Sequence, residues 1–491
     1  MNQATAQAAA NQAPAPLLID GQWIAESGAT LDTVNPATGQ PNRRIAAATA
    51  ALVDQAVKSA EAAARRPNWR DLLPHERARL LAKLADRMEA QVEDTARLQM
   101  QDNGKVLSEC RAQARGAVAT FRYYAAACET MESAMSPSRG NYMAMTTHEP
   151  YGVVAAITPW NSPLTMEAQK VAPALAAGNA VVLKPSEVTP SGALALGRMA
   201  LEAGLPPGVL NVLPGTGAQA GSALVAHPGV RMISFTGGTV SGRLIAQQAG
   251  SRLVPVILEL GGKSPHIVFE DADQDRALKE VAGGIFEGSG QSCVAGSRLF
   301  VQRSIFDGFL RRLTEHARTI KLGLPDVAGS QMGPIATYGH REKIESMVAT
   351  AVKDGGQVHT GARRPADAAL QAGFYYEPTI ISGLDPNSSL AQQEVFGPVL
   401  CAIPFDNEDD LIAQANNSEF GLAAGIWTKD STRAWRVARA LEAGMVWINT
   451  YKQLSIATPF GGYKNSGIGR EKGLSGLRAY QQSKSMIWGL G

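Results

Sequence analysis

Cysteine is scarce. Four in 491 residues cannot staple a fold of this size, and none of Cys110, Cys128, Cys293 and Cys401 stands in a Cys-x-x-Cys pair or beside paired histidines. That removes disulfide scaffolds and the usual zinc sites. The seven histidines are scattered without a His-Glu-x-x-His, so no metal is expected. No stretch reaches the ~18 uninterrupted apolar residues of a membrane-spanning helix. The opening MNQATAQAAANQAPAP has neither the basic start nor the apolar middle of a signal peptide. Charge of one sign is also missing: 46 Lys+Arg against 44 Asp+Glu leave a net +2 with no basic stripe, and nucleic acids need such a stripe. These absences predict a disordered tail over 1–16, a cytoplasmic location, and neither nucleic acid nor membrane as partner.

The length exceeds what one hydrophobic core usually fills, so two or more domains are expected, with clefts between them for ligands. From 74 to about 126 the apolar residues recur at helical spacing and predict two or three amphipathic helices. The texture then changes. YGVVAAITPW, AVVLKP, VLNVLPG, RMISFTG and VPVILELGG are short β-branched runs separated by helix-like segments such as SGALALGRMALEAG. This alternation over 151–262 predicts a doubly wound α/β domain, with ligands at the carboxyl ends of its strands. A second α/β region over 263–453 has candidate strands at HIVF, RLFV, VLCAIPF, AAGIW and MVWIN, and the terminal SKSMIWGLG is β-prone and expected to pair.

Two glycine-rich stretches mislead. GTGAQAG, with Gly215, Gly217 and Gly221, is one residue longer than the dinucleotide fingerprint, and Gly262-Lys263-Ser264 lacks the P-loop's first glycine because Ile257 stands there. Phe235-Thr236-Gly237-Gly238, leading to Gly242, follows one strand-like run and opens a helix, so it can offer free N–H groups to a phosphate or simply cap that helix. Cys293 lies in GSGQSCVAG, where glycines allow a ligand close approach; nucleophile and bystander both remain open on this alone. A thioester-forming cysteine needs a base and an oxyanion donor. Glu259 in LELGGKSP and Asn161 in TPWNSP both stand at strand ends, yet each could be an ordinary turn residue.

TPWN, LKPSE, FTGGT, LELGGK, GQSC, QEVFGPV and PFGGYKNSGIGRE occur in this order. Together they resemble the aldehyde dehydrogenase superfamily, from about residue 19 to the C-terminus. The resemblance implies a variant Rossmann dinucleotide-binding domain (17–132 and 151–261), an α/β catalytic domain (262–464) and a small β oligomerisation element (133–150 and 465–491) that makes a homodimer or homotetramer. It implies oxidation of an aldehyde to the acid by NAD, with NADP possible, through Cys293 as nucleophile, Glu259 as base for thioester hydrolysis and Asn161 as oxyanion donor. Lys184 and Glu187 match positions for the adenosine ribose, and Glu394 and Phe396 match those for the nicotinamide ribose. Thr158, Pro159, Trp160, Ser186, Gly217, Phe235, Thr236, Gly237, Gly238, Gly242, Leu260 and Gly261 complete the implied cofactor set. Gly238 departs from the pattern, which commonly has serine there. Glu187 favours NAD, since a carboxylate accepts from a ribose 2′-OH and repels a 2′-phosphate.

Rival classes are a thiol hydrolase or acyltransferase without redox chemistry, a non-catalytic protein that kept the fold, and CoA-dependent acylating relatives. The first has no use for LKPSE and QEVFGPV, the second none for Cys293, Glu259 and Asn161, and the third typically lacks the carboxylate of Glu259. By motif alignment the aldehyde tunnel receives Ser162, Gln169, Glu287, Lys452 and Gln453, with Arg115 near its entrance, instead of large apolar rings. That favours a polar aldehyde or a semialdehyde as substrate.

Overall fold

A computed structural model describes residues 13–491, so the first twelve residues of the expected tail lie outside the described residues. Residues 13–16 do not behave as a free tail. Ala15 donates to Arg44 O and accepts from Ala46 N, because the polypeptide here runs along an open strand edge.

The first large sheet has eight strands in the order Gln22–Ile24, Leu17–Ile19, Leu210–Val212, Ala180–Lys184, Val153–Ile157, Met232–Thr236, Val256–Glu259 and Gly467–Ile468. The five strands from Leu210–Val212 to Val256–Glu259 run parallel, whereas the pairings outside them are antiparallel. VVAAI and AVVLK are buried at every position, as expected where helices cover both faces. One face carries Pro74–Ala90, Leu107–Thr130, Pro163–Ala176 and Ser191–Glu202; the other carries Ala50–Arg65, with the start of Thr239–Gly250 packed near Leu260. The chain builds outward from Val153–Ile157 on one side and then starts again at Met232–Thr236 on the other. The switch point therefore lies between those two strands, and their carboxyl ends feed Thr158–Asn161 and Thr236–Gly238 into one crevice.

The second sheet has seven strands: Gln357–Thr360, Thr379–Ser382, Val399–Phe405, Arg298–Gln302, Pro265–Val268, Ala423–Trp427 and Met445–Ile448. All its neighbours are parallel except the first pair. Gln481–Gly489 pairs along nine residues with Tyr142–Pro150, which also pairs with Ala134–Ser136 in a three-stranded sheet. The rest of 465–491 is placed differently: Gly467–Ile468 joins the first sheet, and Gly473–Arg478 is a helix. Among the described residues no helix is long and apolar enough to cross a membrane.

Candidate active site

Cys293 lies on a backbone that only certain residues tolerate. Helix Gln274–Phe286 ends in a run of positive φ at Gly288, Ser289 and Gly290. A Cβ at Gly290 would collide with the Gly397 carbonyl. Ser289 is held in its unfavourable conformation by donating from Oγ to Gly333 O at 2.7 Å. Gln291 accepts from Ala336 N at 2.8 Å. A turn closed by Ala295 N to Ser292 O, 3.0 Å, then presents Cys293 at its first central position. Cys110, Cys128 and Cys401 are buried, whereas Cys293 is half-exposed.

Asn161 reaches this loop from the switch-point crevice: its Nδ2 donates to Gln291 O at 2.9 Å, two residues before the thiol. Its own backbone is fixed from behind by Asn103, whose Nδ2 donates to Trp160 O and Asn161 O. Glu259 ends its strand with both carboxylate oxygens buried and without partners. A Cβ at Gly461 would sit 2.8 Å from Glu259 Oε1. Burial first, then the charge of Glu471, holds the Glu259 carboxyl well above the usual carboxylate range, with Lys170, Arg470 and Lys472 opposing. Burial pushes the Cys293 thiol up to about 12, and the Glu394 and Glu259 carboxylates add to this. The thiol therefore rests protonated at neutral pH, and the Glu259 carboxyl holds its proton more tightly than an exposed one. Iodoacetamide alkylation of Cys293 without nucleotide is expected to rise about tenfold per pH unit between about pH 7 and pH 10. A plateau near pH 8 would contradict this picture of the site.

The implied cofactor positions gather around the same crevice. Thr158 and Thr236 each bury a hydroxyl with no protein partner. Gly238 caps helix Thr239–Gly250 without any side-chain bond, and a Cβ there would meet nothing within 4 Å, so the helix's free N–H groups face open space. Gly237 and Gly242 are required for packing, since a Cβ would strike the Phe235 ring or Leu260. Lys184 is buried at its strand end and donates to Pro185 O at 3.0 Å, with Glu187 Oε2 at 3.4 Å. Ser186 Oγ accepts from Val188 N beside them, and Gly217 opens an exposed turn. Glu394 Oε1 accepts from Gly262 N at 2.9 Å, and its Oε2 would lie 2.5 Å from a Cβ at Gly261. Burial raises its pKa to about 7. Trp160 and Phe396 meet edge to face at 5.3 Å. Pro159 is half-buried in the same turn. Unpartnered hydroxyls, an uncapped helix start and a carboxylate at the far side fit a dinucleotide lying across the switch point.

The expected tunnel residues divide. Ser162 Oγ accepts from Gln113 Nε2 at 3.3 Å. Lys452 donates to Gly283 O at 3.2 Å; burial lowers its pKa to about 8, with Glu287 the leading opposing charge. Gln453 is exposed, and its carbonyl accepts from Trp447 Nε1 at 2.8 Å. Arg115 is exposed on helix Leu107–Thr130. Gln169 differs most from expectation, being buried with its amide N–H donated to Glu471; only its Oε1 is left without a partner.

Several residues here carried no visible signal in the sequence. Lys170 and Glu471 form a fully buried ion pair at 2.6 Å behind Glu259. Ser234 Oγ lies 3.2 Å from Lys170 Nζ and 3.3 Å from Glu471 Oε1, and it accepts from Tyr480 OH at 2.8 Å. His340 contacts Phe396 O at 2.7 Å and packs on Trp160. Lys170 occupies a position that reads as the polar side of a helix, and Glu471 reads as the end of a glycine-rich loop.

A doubly wound sheet with an open helix start, joined to a second sheet that delivers a cysteine to the same crevice, defines a dinucleotide-dependent oxidoreductase. The profile of the Aldehyde dehydrogenase family matches residues 23–486. The chain is 42% identical to human retinal dehydrogenase 2 over 96% of its length and 91% of that protein's. It is 43% identical to the (Z)-2-((N-methylformamido)methylene)-5-hydroxybutyrolactone dehydrogenase of Acinetobacter baylyi, covering 96% of each. The NAD+ complex of an aldehyde dehydrogenase from Bacillus cereus superposes with a TM-score of 0.96 at 38% identity, covering 99% of this chain and 98% of that one. The chain belongs to the aldehyde dehydrogenase family, and it is an NAD(P)-dependent aldehyde dehydrogenase.

Proposed function

We propose that the enzyme oxidises a polar aldehyde to its carboxylic acid through a thioester on Cys293. The observation that carries this reading is the convergence of two strand ends on the loop that carries Cys293. Asn161 bonds the Cys293 loop, while Glu259 waits unpartnered beside Gly461 and exerts its charge on the thiol. In this reading the Cys293 thiol gives up its proton to solvent water, the thiolate so formed adds to the carbonyl carbon, and the new oxyanion is met by the Asn161 amide and the backbone N–H of Cys293. Lys184, Glu187, the N–H groups at Gly238 and Glu394 would hold NAD, which would supply the hydride acceptor. Glu259 then takes a proton from the water that attacks the thioester, and Lys170 and Glu471 set its proton affinity. The three-stranded sheet serves self-association, exposing Met135 and Trp488 on one face and Ile487 on the other.

The substrate class rests on this chain's own residues, because the named relatives span retinal and a hydroxylated lactone. Ser162 replaces a large ring, the Gln169 Oε1 is a buried acceptor, and Lys452 and Glu287 share the mouth. An apolar aldehyde would leave such groups unpaired, at about 1–3 kcal/mol each. A four-carbon semialdehyde or hydroxyaldehyde is therefore expected to exceed butanal in kcat/KM by about tenfold or more. Lys452→Ala is expected to reduce that ratio for the carboxylate-bearing compound. Preference for butanal, unchanged in Lys452→Ala, would refute the polar-substrate reading.

A further inference from the structure

Cys293 and Asn161 do not fix the nucleophile's backbone alone. The carbonyl of Val294, the next residue in the turn, accepts from Tyr451 OH at 2.9 Å. Tyr451 is itself buried and held on every side. Its ring stacks on His266 with centroids 4.2 Å apart and planes 16° from parallel. His266 Nε2 accepts from Trp427 Nε1 at 2.9 Å, which orients the imidazole. Trp447 packs on the other side at 4.8 Å, and Tyr451 N donates to Glu280 Oε2 at 3.1 Å.

The slot for this stack is built by three glycines from three separate elements. A Cβ at Gly284, in helix Gln274–Phe286, would lie 3.0 Å from the Tyr451 ring; one at Gly425, in strand Ala423–Trp427, would lie 2.5 Å from it. One at Gly296, just past the nucleophile, would lie 3.2 Å from the Tyr451 oxygen and 2.9 Å from His266 Nδ1. On the opposite side of the turn, any side chain at Gly262 would collide with the Cys293 carbonyl. The Cys293–Val294 segment is thus clamped between Gly262 and the Tyr451 hydroxyl. We infer that Tyr451 is a positioning residue for thiol addition: by bonding Val294 O it holds the turn that aims the Cys293 thiol and N–H at the aldehyde.

This inference rests on Cys293 being the nucleophile. Tyr451→Phe keeps the ring and the stack and removes only the bond to Val294. The burst of NADH on mixing enzyme, NAD and aldehyde is expected to slow by about tenfold or more, since displacement by an ångström costs rate on that scale. NAD affinity should stay at the wild-type value. Tyr375→Phe is the control: it removes another buried hydroxyl that donates to a backbone carbonyl, Gly323 O at 3.2 Å, in a different buried cluster from Val294 and Tyr451. It should leave the burst unchanged. Should Tyr451→Phe not fold, Gly296→Ala displaces the same hydroxyl from the other side and is judged by the same criterion. A wild-type burst rate in Tyr451→Phe, or an equal slowing in Tyr375→Phe, overturns the positioning role. A burst that survives in Cys293→Ser overturns instead the reading on which it rests.

Discussion

Cys293→Ser is expected to lower NAD-dependent aldehyde oxidation on the order of 10³-fold or more while leaving NAD binding and Tm close to wild type. A hydroxyl is a far weaker nucleophile than a thiol at neutral pH. The fold should survive because the side chain is half-exposed at the edge of an aromatic cluster and not in the centre of a core. Steady turnover within tenfold of wild type would remove Cys293 from the reaction.

Glu259→Gln is the second large effect, and its signature differs in kind. Thiol addition and hydride departure need no carboxylate at 259, so about one equivalent of NADH should form rapidly. Turnover should then stall, about 10²-fold or more below wild type, because nothing takes the proton from the attacking water. The amide fits without new strain, since neither Glu259 oxygen has a bond to lose. Wild-type steady turnover would exclude Glu259 as the base. A missing burst would place it in the first chemical step instead of the second.

The fold was legible where burial is two-sided. VVAAI and the AVVL of AVVLK are continuous apolar runs because helices cover both faces of their sheet, and both are strands in the structure, as is the mainly apolar MISFT. Helix Ala50–Arg65 was missed although Val53, Ala56, Val57, Ala60 and Ala63 recur at helical spacing, because alanine also fills exposed positions such as Ala50, Ala51 and Ala62 and blurs the stripe by eye. The short N-terminal strands at Gln22–Ile24 and Thr30–Asn35 are polar and partly exposed, so no apolar pattern announces them. Within the site, glycine runs and strand ends pointed to Cys293, Glu259 and Asn161. The Lys170–Glu471 pair spans much of the chain and becomes adjacent only when the last loop folds under the first sheet. Gln169 shows the limit of placement by motif. The helix position was right, but a buried carboxylate from that same distant loop takes its N–H.

The central claim is that the acyl group passes through sulfur 293, and the direct measurement is on Glu259→Gln. The variant is mixed with NAD and a slowly hydrolysed aldehyde, quenched in acid after the burst, digested, and its peptides weighed. The account predicts a near-stoichiometric acyl adduct on the peptide containing Cys293 and none on those containing Cys110, Cys128 or Cys401. A full NADH burst with Cys293 unmodified would contradict it.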